Sequence, residues 1–367
     1  MSNQNGRPTA SGILYVGSYG TAEEPTIHVC SFDKMTGELE VIQRVSGLEN
    51  ASYLTLHPNG ARLYAASETE ATGEAGGGSV AAFEIDEVTG MLRMTSNRSL
   101  THGAHPCYIS TDEKGRVLFA ANYTGGNIAI LPITADGELE AAAAVHQHTG
   151  ELGPNSSRQD APHAHCILPL GKSPFVCAAD LGIDTIVIYR YEDERRLLTP
   201  HGFSKVHRGA GPRHLIFHPE LPAGYVMNEL DSTITLLKAD TALGALTAGQ
   251  SISALPAGYD GYNDAADIHL GRSGRYLYSS NRGHNSIAVF AVDQASGELK
   301  LIQHIDCGGE TPRNFAVTPD GGHLLVANQK TGSIAVFTVD AESGLLAKTA
   351  SSLALPNPVC IQFAKLS

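Results

Sequence analysis

GSIAVFTVDAESGLLAK at 332–348 restates NSIAVFAVDQASGELKL at 285–301, and GSVAAFEIDEVTGMLRM at 78–94 is a third copy. Each runs through an alternating strand of apolar and β-branched residues, an Asp, a turn with Thr or Ser before Gly, and a Leu that opens another strand. HVCSFDKMTGELEVI (28–42) and NIAILPITADGELEA (127–141) keep the pattern, so a β-hairpin is the outer half of a repeating unit.

The inner half repeats as well. Eight-residue strands can be laid out as ASYLTLHP (51–58), PCYISTDE (106–113), PHAHCILP (162–169), PRHLIFHP (212–219), DAADIHLG (264–271), PRNFAVTP (312–319) and PVCIQFAK (358–365). All but the last lead into a strand ending in a small or polar residue: YAAS (64–67), FAAN (119–122), CAAD (177–180), YVMN (225–228), YSSN (278–281) and LVAN (325–328). YVGS (15–18) is a further copy of that second strand with no inner strand before it.

With the four strands named a to d, the first unit lacks a and the last segment is an a with nothing after it. Joining the two gives seven complete blades and removes the open edge of a radial array. The expected fold is therefore all-β, a seven-bladed β-propeller whose C-terminal strand closes the ring on the N-terminal blade. No helix is demanded, because apolar residues recur at period two; the alanine-rich ELEAAAAV (138–145) falls at a strand d. A length of 367 residues would suggest two domains, but a unit recurring from end to end offers no boundary. One domain is expected over 13–367, after a polar tail at 1–12.

Composition narrows the function classes. Lys and Arg number 25 against 38 Asp and Glu, a formal charge of -13 that disfavours nucleic acid and anionic membrane as partners. The first twelve residues lack the apolar stretch of a secretory leader, and no run of about 18 apolar residues could span a bilayer. Cys30, Cys107, Cys166, Cys177, Cys307 and Cys360 form no CxxC pair and read as buried thiols of a reducing compartment, which predicts a cytoplasmic protein. A monomer is the expectation for its assembly, with a homodimer as the alternative.

Strands a and b are antiparallel neighbours, so the start of a lies beside the end of b at one mouth of the central channel. Long connections at 68–78, 146–161 and 251–263 are placed to wall that mouth. Repeats act as an internal control, because a purely structural slot should hold equivalent residues. The second position of strand a reads Ser52, Cys107, His163, Arg213, Ala265, Arg313 and Val359; the fourth reads Leu54, Ile109, His165, Leu215, Asp267, Phe315 and Ile361. His163, His165, Arg213, Asp267 and Arg313 depart from slots that tolerate small or apolar side chains. After the end of strand b come Tyr19, Glu68, Tyr123, Leu181, Glu229, Arg282 and Gln329, with Asn228 before Glu229 and His284 close behind Arg282.

These ionisable groups fit either a salt-bridge network plugging the channel or a site for an anion, which Arg binds in bidentate fashion. A carboxylate and an imidazole beside guanidinium groups can move a proton while an Arg stabilises an oxyanion, favouring attack by activated water over an acyl-enzyme. His163 and His165 could start a metal site with Glu229 and Asp267, but no third ligand is fixed in register, so no metal and no cofactor are expected. GGGS (76–79) and TGGN (124–127) sit at hairpins and not between a strand and a helix, which excludes a phosphate-binding loop. His57 and His218 precede a proline at the far end of strand a and read as turn residues.

Across almost its whole length the chain resembles the propeller lactonase family that includes bacterial 6-phosphogluconolactonase and fungal carboxy-cis,cis-muconate cyclase. The resemblance is carried by PHAH (162–165), GPRH (211–214), NEL (228–230), SNRGH (280–284) and GGETPRNF (308–315). It implies an active site of His165, Arg213, Glu229 and Arg282 and hydrolysis of 6-phospho-D-glucono-1,5-lactone to 6-phosphogluconate in the pentose phosphate pathway. On this basis His163, Asn228, Asp267, His284 and Arg313 are expected to contact or orient a small anionic sugar lactone, with Glu229 or His165 activating water. A muconate-type lactonizing enzyme or another lactone hydrolase is the first alternative, and a non-catalytic propeller binding module the second. The absence of Trp and of an aromatic track weighs against the module.

Overall fold

A computed structural model describes residues 11–73 and 75–365. Most of the 1–12 tail lies outside these residues, and the first strand already begins at Ser11. Among the described residues there are no helices, hence none long and apolar enough to cross a membrane. Seven four-stranded antiparallel sheets form the blades, with a two-stranded hairpin at Ala71–Thr72 and Ala75–Gly76 in one mouth loop.

Pro358–Phe363 is strand a of blade 1, pairing with Ser11–Ser18 ahead of Ile27–Asp33 and Leu39–Val45. Strands a of blades 2 to 7 are Ala51–Leu56, Pro106–Thr111, Ala164–Pro169, Pro212–Phe217, Asp264–Leu270 and Pro312–Val317. Each contacts the strand a of the next blade and the last contacts the first, so these strands line the axis. The alanine-rich segment is not helical, but only Ala144–Gln147 pairs as strand d; before it, Leu139 makes a lone bridge to Ile133.

The recurrent Asp-x-x-x-Gly turn, most often with Thr or Ser before the Gly, has two jobs. Asp33, Asp86, Asp240, Asp293 and Asp340 each accept the main-chain N–H groups two and three residues on, an Asx turn that pins the hairpin tip. The glycine then takes positive φ, 72° at Gly90 and 77° at Gly297, which only glycine adopts freely. Its carbonyl is left pointing at the preceding blade, where a buried tyrosine of strand b donates to it: Tyr15 to Gly90, Tyr64 to Gly137, Tyr225 to Gly297 and Tyr278 to Gly344. A glutamine in strand d adds a two-way clasp, Gln250 both donating to Leu299 O and accepting from Leu299 N. His57 and His218 also tie blades together, through the carbonyls of Gly115 and Gly274 in the next blade's a–b turn. Tyr225→Phe should lower stability by about 1–2 kcal/mol, since it strips the partner from a buried carbonyl. The check is a lower urea midpoint with an unchanged slope.

Every a–b pair carries a β-bulge at the mouth end of strand a. A bulge re-aims the extra side chain, and a ring of seven bulges aims seven of them at one channel. The pairing also corrects the register read from sequence in two blades. Ala164, not Pro162, faces the end of strand b at Asp180, and Ala265, not Asp264, faces Asn281. The bulge ring is therefore Ser52, Cys107, His165, Arg213, Ala266, Arg313 and Val359. Asp267 belongs one layer deeper with Tyr53, Tyr108, Cys166, His214, Asn314 and Cys360. The fourth position becomes uniformly apolar and buried, as Leu54, Ile109, Ile167, Leu215, Ile268, Phe315 and Ile361. His163 precedes its strand altogether.

Candidate active site

Glu229 follows strand b of blade 5, its N–H donating to Gly211 O and its carbonyl accepting from Ala265 N, so neighbouring backbones hold it at the mouth. Its side chain is 3% exposed and surrounded by cations. Arg213 Nε lies 2.8 Å from Oε2, an ionic contact without good hydrogen-bond alignment, and Arg282 reaches the same oxygen at 2.9 Å. Arg158, from the loop between blades 3 and 4, pairs with Oε1. Burial would raise the pKa of Glu229, but Arg282, Arg213 and Arg158 outweigh it and hold it at about 2. Glu229 is thus an anion at neutral pH.

Arg213 is fully buried at the bulge, where NH1 donates to Ala266 O at 2.6 Å. Burial, together with Arg282 and Arg313, pushes its pKa down to about 10, which leaves it cationic. NH1 also sits 3.1 Å from His214 Nε2, while His214 Nδ1 meets Asp267 Oδ1 at 2.8 Å. Because Arg can only donate, Nε2 accepts and Nδ1 donates, which fixes the His214 tautomer. Burial and Arg213 lower the His214 pKa to about 4, so the ring stays neutral.

Asp267 is saturated by partners behind this layer: Ile268 N on Oδ1, and Asn314 Nδ2, His269 Nε2 and Phe315 N on Oδ2. Burial works to raise its pKa, but His269 and His214 drive it far below the carboxylate range. Asp267 thus lies buried beneath Arg213, linked to it through His214, and is not open to the mouth.

His165 Nε2 stands 4.0 Å from Glu229 Oε2, and Nδ1 is 3.5 Å from Cys107 Sγ. Burial first, then Arg213, His214 and Arg313, lower its pKa well below that of a free imidazole. The Cys107 thiol is pushed strongly up by burial and by Glu68 and stays protonated. His165, Arg213, Glu229 and Arg282 therefore meet in one buried cluster.

The remaining sequence-selected residues lie around it. Arg313 is half-buried over the Tyr19 ring at 5.3 Å, and Tyr19 Oη donates to Glu68, which forms a second polar group across the mouth. His163 stacks on Tyr123 at 4.5 Å with its ring nitrogens on Tyr123 O and Asp160. His284 is at the rim, edge-on to Tyr259 and bonded to Ser286 Oγ. Asn228 Nδ2 donates to Thr233 and Thr235 across its own b–c turn, as the Nδ2 groups of Asn122 and Asn281 donate across theirs. Sequence comparison missed Arg158 and His214. His214 could have been found as the one histidine at the third position of the seven strands a; Arg158 lies on a d–a connection longer than those of the other blades. Among the described residues no group of three or more His, Cys, Asp or Glu side chains could hold a metal ion.

A family model described as Lactonase, 7-bladed beta-propeller, matches residues 13–363. The chain belongs to that family. This lactonase is 34% identical over 351 residues to the 6-phosphogluconolactonase of Bacillus subtilis, covering 96% of this chain and 98% of that one. It is 33% identical to the 6-phosphogluconolactonase of Formosa agariphila, covering 85% and 88%. Its fold superposes with a TM-score of 0.90 on the periplasmic gluconolactonase of Pseudomonas aeruginosa, at 33% identity over 97% of this chain and all of that one. It is accordingly an ester hydrolase acting on lactones, and the binding-module alternative falls away.

Proposed function

We propose that this lactonase hydrolyses 6-phospho-D-glucono-1,5-lactone to 6-phosphogluconate, a step of the pentose phosphate pathway. The observation that carries the reading is one buried carboxylate, Glu229, ringed by Arg213, Arg282 and Arg158 with His165 at 4.0 Å, in a lactonase fold. Arginines suit an anionic sugar lactone and the oxyanion that forms when its carbonyl becomes tetrahedral. Glu229 takes a proton from the attacking water as the water oxygen bonds to the lactone carbon. As the tetrahedral species collapses, the ring C–O bond breaks and Glu229 returns that proton to the ring oxygen. A carboxylic acid held near pKa 2 is a strong donor, which suits the second half of the step. His165, whose Nε2 stands 4.0 Å from Glu229 Oε2, is assigned to orienting the water beside that carboxylate. Arg213 and Arg282 stabilise the oxyanion, while Arg313, at the open side of the mouth, supplements the anion contacts.

The compartment assigned is the cytoplasm, supported by six buried cysteines without a disulfide. The similarity to a periplasmic gluconolactonase favours a second reading, in which the unphosphorylated sugar lactone is the substrate. An assay coupled to 6-phosphogluconate oxidation, with glucono-1,5-lactone followed in parallel by acid release, decides between them. The phosphorylated substrate is expected to have a kcat/KM at least about tenfold higher, the effect of one charged contact. Turnover no faster than spontaneous hydrolysis of either lactone would reject both readings.

A further inference from the structure

Three guanidinium groups converge on Glu229, and they are not equivalent. Arg213 and Arg282 belong to strands and are tied to main-chain acceptors, Ala266 O at 2.6 Å for the first and Asp264 O and Ala265 O at 3.2 and 3.3 Å for the second. Arg158 comes from the loop between blades 3 and 4. Its guanidinium meets only side chains among the described residues: Glu229, Asp264 at 3.3 and 3.4 Å, and Tyr123 Oη at 3.5 Å. Its side chain is 31% exposed, against 2% for Arg213 and 13% for Arg282. Of the three, it alone can turn away without disturbing a strand.

Its position also matters chemically. Arg213 and Arg282 lie on Oε2, so Arg158 on Oε1 completes a guanidinium on each oxygen of Glu229 and stands between Oε1 and the mouth. Arg158 bridges Glu229 and Asp264 and is the most solvent-exposed of the three guanidinium groups. An arriving anion meets that group first.

We propose that Arg158 is a specificity-determining latch, which covers Glu229 in the free enzyme and turns onto the anionic group of the incoming lactone, so that only a substrate carrying such a group uncovers the base. The inference rests on the assignment of Glu229 as base. A ligand shifts such an equilibrium only through its differential affinity for the turned-out state. Binding energy from a group remote from the reacting carbonyl then appears in kcat and not in KM alone.

The test compares wild type, Arg158→Ala and Arg158→Lys on 6-phospho-D-glucono-1,5-lactone and on glucono-1,5-lactone, with a thermal melt to establish that each variant is folded. Arg158→Ala should lose at least about tenfold in kcat/KM on the phosphorylated lactone, the effect of one charged contact to a bound anion. Its kcat on the unphosphorylated lactone should rise several-fold, because the carboxylate is no longer covered. Arg158→Lys, which keeps the charge but not the fork, should fall between wild type and Arg158→Ala on both. Equal proportional losses on the two lactones, or no change on either, would overturn the latch while leaving the lactonase reading intact. Failure of that reading is recognised separately, by a wild-type rate no faster than spontaneous hydrolysis.

Discussion

Glu229→Gln is expected to lower kcat by about 10³-fold, within the range that general-base catalysis supplies. Glutamine keeps the size of the side chain but removes the negative charge that takes the proton from water. KM should change much less, because the groups assigned to hold the substrate anion are untouched. The same substitution leaves Arg213, 2% exposed, without its counter-ion, and breaking such a buried pair costs about 3–5 kcal/mol. The melt should therefore fall, and kcat must be read well below the new midpoint. Since the Glu229 carboxyl titrates near 2, the base form is fully present at neutral pH and is lost only as pH falls through that value. Wild-type rates should show no acid limb from this group between about pH 4 and 7, given an ordinary carboxylate near 4.3. A Glu229→Gln variant as active as wild type would remove Glu229 from its role and pass it to His165.

The repeat made the fold legible, because a period-two strand pattern recurring with the same turn chemistry admits little else. The site was legible where a residue broke its slot. Arg213 and Arg313 share the Pro-Arg start of strand a, and their register followed directly. Blades 4 and 6 lack that start, and there a one- or two-residue slip was invisible: Pro162 and Asp264 took the first position that the ladder gives to Ala164 and Ala265. The slip put His165 and Asp267 in a layer that is wholly apolar and hid the fact that His165 shares the bulge ring with Arg213. Bulges are the physical reason, since they insert a residue without leaving a mark in an apolar/polar pattern. Asn228 was selected by adjacency to Glu229, but adjacent residues of a strand face opposite ways, and its side chain serves the turn. Arg158 was beyond reach for a different reason. Its d–a connection differs in length and sequence from those of the other blades, so the internal control that exposed the other residues had no aligned position to compare.

Removal of residues 358–367 should abolish cooperative unfolding. Pro358–Phe363 is the only strand that blade 1 takes from the far end of the chain, pairing from Leu14↔Phe363 to Ser18↔Pro358. It also joins the cores on both sides. Cys360 packs in the cluster shared with blade 2, Ile361 and Phe363 in the cluster shared with blade 7. Polar ties run the same two ways: Leu54 N donates to Cys360 Sγ in one direction, and Ile361 N donates to Asn314 Oδ1 in the other. Val359, Cys360, Ile361 and Phe363 are each no more than 9% exposed. Burying three or four such side chains contributes about 1.5–3 kcal/mol apiece. Their sum rivals the whole stability of an ordinary domain, about 5–15 kcal/mol. Loss of the strand also exposes the ladder edge of Ser11–Ser18, which invites aggregation. Differential scanning calorimetry should show a sharp endotherm for the full chain and a broad or missing one for the truncation, with a synthetic 358–367 peptide restoring part of it in trans. An unchanged melt would mean that the ring is closed by other contacts. Ile361→Asp tests the same point with the backbone ladder intact, and it should be nearly as damaging, because it places an unpaired charge between blades 7 and 1.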